Sequence, residues 1–104
     1  MKNNTKSYPR GDKIAMTVRQ LVAEIIRDIF PDLGVTIVDA KSGDGLQFVR
    51  VFYQGQKQDF EKIKGRIRYE LAHRMNQKHV PELEFAYDDT LEVADRIETL
   101  LKNI

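Results

Sequence analysis

The sequence predicts a single α+β domain with its elements in the order α-β-β-α-β-α, and three observations carry that prediction. Apolar residues recur at steps of three and four over residues 12–29 and again over 59–76. Two runs rich in β-branched and aromatic residues, 35–38 and 46–53, flank Ser42-Gly43-Asp44-Gly45, a strong turn sequence. After Pro81, the apolar Leu83, Phe85 and Tyr87 alternate with Glu82, Glu84 and Ala86, the period of a half-buried strand.

Taken in order, residues 1–10 are polar and contain Pro9, so they are expected to form a mobile tail ahead of a domain over 11–104. The first helix carries Ile14, Val18, Leu21, Val22, Ile25 and Ile29 on one stripe and is closed by Pro31, Asp32 and Gly34. The two runs that follow form an antiparallel hairpin, ended by Gly55 and the polar residues 56–58. The second helix, over residues 59–76, buries Phe60, Ile63, Ile67, Leu71 and Met75. Gly65 sits in its middle, where glycine costs about 1 kcal/mol relative to alanine. Either the helix bends there or something approaches its backbone closely. After the third strand, Asp89 and Glu92 have the spacing of a capping box. They open a last helix with Val93, Ile97, Leu100 and Ile104 on its stripe, widened by Leu91, Ala94 and Leu101.

Composition narrows the function. The chain has 104 residues, 41% of them hydrophobic and 32% charged, which suits one domain with one modest core. No apolar run approaches 18 residues, and the opening MKNNTKSYPRGDK has no apolar stretch of a secretory signal. The absence of cysteine excludes disulfides, thiolate nucleophiles and cysteine-ligated metals, and places the chain by default in the cytoplasm. Catalysis finds no support. His73 and His79 lack metal-ligand spacing, Ser7 and Ser42 lie in no nucleophile elbow, and no phosphate-binding glycine motif is present. Asp88 and Asp89 precede a helix and are better explained as caps than as acid/base or Mg²⁺ ligands. Neither a cofactor nor a metal is expected, and the chain is not expected to be an enzyme.

Charge points elsewhere. The net charge is +1, yet residues 1–81 carry 15 basic and 9 acidic side chains while residues 82–104 carry 2 and 7. Such segregation suggests one face made for an anion, although a chance imbalance on a solvated surface also gives it. On the second helix, Lys62, Arg66, Tyr69 and His73 share one side, opposite the apolar arc. Arg68 lies at the edge of that arc. Lys64 and Arg74 fall inside it, so they must snorkel unless the helix bends. Glu70 is the single acid between Lys62 and Lys78. Basic side chains of this kind neutralise phosphates, and Tyr or His can stack on an unpaired base. Residues 45–50 partly match the RRM signature, but Asp44 replaces its basic residue and Leu46 a stacking aromatic. A chain opening with a helix also has the wrong element order.

The stretch Val80-Pro81-Glu82-Leu83-Glu84-Phe85-Ala86-Tyr87-Asp88-Asp89, followed by Asp95-Arg96-Ile97 and Leu100-Leu101, resembles bacterial ribosome-binding factor A, which closes with a VPELxFxYD strand and a helix. Gly65-Arg66-Ile67-Arg68-Tyr69-Glu70-Leu71 looks like the family's GFIRxEL stretch, and residues 32–39 are similar to its first strand. The resemblance covers nearly all of residues 10–104. It implies a type II KH-like domain, with a three-stranded sheet, helices packed on one face and no GxxG loop. In that loop's place the family has a small-residue kink, usually Ala-x-Gly; the position reads Ile63-Lys64-Gly65 here, keeping the Gly but not the Ala. Gly65 would then set a bend between two helices.

The implied role is late maturation of the small ribosomal subunit. The protein would bind ribosomal RNA near the 5′-terminal helix, with a part in rRNA processing and in adaptation to cold. Lys62, Lys64, Arg66, Arg68, Arg74 and Lys78 are expected to contact phosphates, with Tyr69 or His73 stacking or hydrogen-bonding. Lys13, Arg19 and Arg27 of the first helix would extend the basic surface. The expected partners are small-subunit rRNA and free small subunits, met by a monomer away from any membrane. The alternative is a protein-interaction module that no longer binds RNA, whose acidic last helix (Glu92, Asp95, Glu98) meets a basic partner.

Overall fold

A computed structural model describes residues 10–43, 48–75 and 79–102 of the chain. It contains α1 (Arg10–Ile29), β1 (Val35–Ser42), β2 (Phe48–Gly55), a 3₁₀ turn (Phe60–Lys62), α2 (Lys64–Arg74), β3 (Glu82–Tyr87) and α3 (Thr90–Lys102). The element order is the expected one. The tail expected over residues 1–10 lies outside the described residues apart from Arg10, which opens α1.

The three strands form one mixed sheet in the order β1-β2-β3, with β1 antiparallel and β3 parallel to β2. Parallel strands need a crossover, and the 3₁₀ turn and α2 supply it. The hairpin register sets Val35 opposite Gly55. Gly34 and Gly55 both have positive φ, 77° and 102°. A Cβ on Gly55 would stand 2.3 Å from the Gly34 carbonyl oxygen, so only glycine fits where the strands meet. Residues 44 and 45 of the expected turn lie outside the described residues. β1 runs to Ser42 rather than stopping at Val38, because the pairing shifts by one residue between Ile37 and Asp39. That bulge moves Asp39 outward, where its carboxylate accepts from the Ala40 N–H at 2.8 Å.

The core lies on one face of the sheet. α1 contributes Ala15, Val18, Val22, Ile25 and Ile26; β2 contributes Val49, Val51 and Tyr53; α2 contributes Ile67 and Leu71; Phe60, Met75 and Leu83 complete it. The expected stripes of the first two helices are therefore the buried ones, with Ile14, Leu21, Ile29 and Ile63 at the margin. Phe60 stacks on Phe85 with ring centroids 4.1 Å apart and meets Tyr53 edge-on at 4.8 Å. That aromatic cluster pins the start of the crossover to β2 and β3.

Two expectations need correction. The second helical stretch is broken, but at Ile63 rather than at Gly65. Asp59 caps the 3₁₀ turn by accepting from the Glu61 N–H at 3.1 Å, and Ile63 (φ −115°, ψ −5°) ends it and starts α2. The anchored Phe60 fixes where the turn begins, so the break falls one turn later, ahead of the glycine. Nor do all three helices pack on one face. Ile97, Leu100 and Leu101 of α3 are more than half exposed. A sheet of three strands is about 14 Å wide, and two helices at 8–10 Å spacing already cover it. Ile104 and the side chains of Leu91 and Val93 lie outside the described residues.

Candidate nucleic-acid interface

Arg66, Tyr69 and His73 follow one another at i, i+3 and i+7 on α2, and all three are exposed, with exposed Lys62 just ahead of the helix. The Tyr69 and His73 rings lie 4.4 Å apart at a tilt of 47°. His73 Nδ1 sits 2.8 Å from the Tyr69 carbonyl oxygen, which can only accept, so Nδ1 is the donor. The aromatic pair is thus held as a unit beside a guanidinium. Arg66 Nε is 3.4 Å from Glu70, a loose exposed pair that leaves most of its fork open. Lys62 has no ion-pair partner among the described residues.

The remaining cations of the second helix are tied into the protein. Lys64 Nζ stands 2.8 Å from Glu61, and that hydrogen bond holds its ammonium above the ordinary lysine pKa. Arg68 donates to the Val80 carbonyl at 3.2 Å and the Pro81 carbonyl at 3.3 Å, and lies 3.5 Å from Glu82. It fastens α2 to the entrance of β3. Arg74 reaches Asp28 at 3.3 Å, with Glu24 and Glu70 both at 3.9 Å. These three do not snorkel into solvent; each finds an oxygen that is remote in sequence or lies across the break. Lys78 lies outside the described residues. Gly65 occupies the first turn of α2, and a Cβ there would meet nothing within 4 Å.

Lys13, Arg19 and Arg27 are exposed on α1. They line a groove shared with Ile37 of β1 and with Met16, itself 54% exposed. Sequence reasoning passed over Met16 and Ile37 as ordinary apolar positions. It also passed over Lys57, whose ammonium lies 4.8 Å from the centre of the Tyr87 ring. Only a lysine just after the strand-ending Gly55 signalled it. Among the described residues, no group of three His, Asp or Glu side chains is placed to hold a metal ion. Among the same residues, no helix is long and apolar enough to cross a membrane.

The profile of the family described as Ribosome-binding factor A matches residues 10–101. The chain belongs to that family. It is 32% identical to the ribosome-binding factor A of Xanthomonas euvesicatoria pv. vesicatoria, over 96% of this chain and 85% of the relative. It is also 32% identical to that of Thermodesulfovibrio yellowstonii, over 93% and 92%. The fold is similar to the crystal structure of ribosome-binding factor A from Thermus thermophilus. There the TM-score is 0.64 and the identity 17%, over 77% of this chain and 97% of the other. It is equally similar (TM-score 0.64, 17% identity, 76% and 96% covered) to the Thermus thermophilus factor as fitted into a cryo-EM map of a 30S–ribosome-binding factor A complex.

Proposed function

We propose that this chain is a late maturation factor of the small ribosomal subunit, binding its rRNA near the 5′-terminal helix through the outer face of α2. The observation that carries the reading is the open set Lys62, Arg66, Tyr69 and His73, two cations beside a fixed aromatic pair. Membership of a family with a relative fitted into a 30S complex supports it. Lys62 and Arg66 take phosphates, and Tyr69 or His73 takes an unpaired base. Gly65 leaves the backbone open to a close phosphate. Lys64, Arg68, Arg74 and Lys78 complete the positive field, the first three while sharing their protein partners. The domain is a type II KH-like one without a GxxG loop. It acts as a cytoplasmic monomer without cofactor, in rRNA processing and in growth at low temperature.

The test is salt-titrated fluorescence anisotropy with a small-subunit rRNA fragment spanning the 5′-terminal helix, comparing the native chain with Lys62→Glu/Arg66→Glu. Both residues are exposed, so the fold is retained. Loss of binding supports the reading, and unchanged binding sinks it. Arg68→Glu is unsuitable, because it would set a carboxylate against the Val80 and Pro81 carbonyls.

Exposed Ile97, Leu100 and Leu101 favour a second reading, a protein-interaction module using α3 against a basic partner. Phosphate contacts give affinity that falls steeply with salt. An affinity for RNA too weak to titrate, with a salt-tolerant protein partner, would favour this second reading.

A further inference from the structure

α1 carries cations and carboxylates side by side. Toward α2 it presents Glu24 and Asp28, both engaged by Arg74 at 3.9 and 3.3 Å. Lys13, Arg19 and Arg27 line a groove of about 660 Å³ with Met16, Ala23 and Ile37, and Glu24, which also reaches Arg74, lines it too. A second hollow of about 440 Å³ shares Ala23, Arg27 and Ile37 and continues the trough toward Phe30 and Val35. At the border between this groove and α2 stand Glu24 and Asp28, two carboxylates against the single positive charge of Arg74.

We infer that the α1–β1 trough is a second binding site, for a single-stranded segment of RNA, separate from the α2 face. Resting on the reading of the chain as an RNA-binding protein, this adds a second strand contact to it. The three cations are available. Lys13 and Arg19 have no ion-pair partner among the described residues, and Arg27 has only its neighbour Asp28, 3.6 Å away with the Arg27 side chain 72% exposed. At a helical rise of 1.5 Å per residue they span about 21 Å, enough to follow a backbone over several phosphates. The apolar floor distinguishes strand types. A duplex offers a narrow groove little beyond phosphate and sugar, whereas a single strand can also turn bases onto Met16 and Ile37, with Arg19 as a stacking plane.

The experiment measures anisotropy of a labelled 12-nucleotide oligouridylate, and of a 12-base-pair RNA duplex, against salt. It uses the native chain, Lys13→Gln/Arg19→Gln/Arg27→Gln, and Lys62→Glu/Arg66→Glu, each checked for folding by circular dichroism. The glutamine variant is expected to bind the single strand at least tenfold more weakly at 0.1 M salt. Its slope of log affinity against log salt should be shallower by about 2, for three lost contacts. Its binding to the duplex is expected to change less than twofold. Unchanged single-strand binding with loss in the Lys62/Arg66 variant would overturn the second site and leave the α2 reading standing. Equal losses on duplex and single strand would overturn the strand assignment. If the native chain binds neither probe at low salt, the second site falls, and the α2 reading is decided separately by the small-subunit rRNA fragment.

Discussion

Arg74 Nη1 donates to Asp28 Oδ2 across 3.3 Å, joining residues 46 apart in sequence and fastening α2 to α1. Glu24 and Glu70 stand 3.9 Å from the same guanidinium, so one cation balances three carboxylates on two helices. Its side chain is only 26% exposed. Arg74→Ala is expected to lower stability by about 1 kcal/mol, within the range of partly exposed networks. Arg74→Glu should cost more, by adding a fourth negative charge. Urea denaturation at low and high salt checks this, since added salt should shrink the difference between the native chain and either variant. A variant as stable as the native chain would make Arg74 a free cation rather than a bolt.

Arg68 performs a different task with the same chemistry. Its fork meets the Val80 and Pro81 carbonyls, the last two residues before β3. Arg68→Ala is expected to cost about 1–2 kcal/mol, the loss of two charge-assisted bonds at a partly buried site. Arg68→Lys should recover less than half of that, because an ammonium cannot span two carbonyls in one plane. Equilibrium unfolding of the pair of variants measures both values.

Gly65 separates a stability effect from a binding effect. Nothing lies within 4 Å of a Cβ built on it, and it sits in the first turn of a helix. Gly65→Ala is expected to raise stability by about 0.5 kcal/mol, through lost freedom of the unfolded chain. If a phosphate backbone lies against that open surface, RNA affinity falls in the same variant. Urea titration and RNA anisotropy on one preparation distinguish the two effects, and a loss of stability would contradict the open geometry.

How much of this was legible follows from which contacts are local. Val18, Val22 and Ile25 lie at helical steps and are all fully buried. The strand run read over 35–38 stops short of residues 39–42, because Asp39, Lys41 and Ser42 are poor strand formers and the bulge hides their alternation. The break at Ile63 depends on Phe60 packing against Tyr53 and Phe85, which no local spacing reveals. On the candidate interface, Arg66, Tyr69 and His73 came together as the wheel required. Arg68 and Arg74 found partners 12 to 46 residues away, so their engagement was invisible along the chain. The stripe on α3 marked an amphipathic helix, but periodicity does not say what an apolar face meets.

Asp88 carries the expected pH dependence. Its carboxylate accepts from both the hydroxyl and the backbone N–H of Thr90 at the start of α3, and these bonds hold it below the ordinary aspartate pKa. A depressed folded value means a contribution fully present above the unfolded value, roughly pH 4, and lost as the pH falls through the folded value. Asp88→Asn should therefore flatten the acid limb of a stability–pH profile and leave the slope between pH 6 and 8 unchanged. The capping box expected from Asp89 ends on Glu92, whose side chain lies outside the described residues; Asp88 holds the cap that is seen. Thermal melts of both chains from pH 2 to 8 provide the comparison.

Co-sedimentation with ribosomal fractions on a sucrose gradient, at low and moderate salt, tests the central claim most directly. The tagged native chain should travel with free small subunits, be absent from assembled ribosomes and leave the subunits as salt rises. Lys62→Glu/Arg66→Glu should remain at the top of the gradient while staying folded. A native chain that stays at the top under both conditions, or a variant that travels with the subunits as the native chain does, would contradict the account.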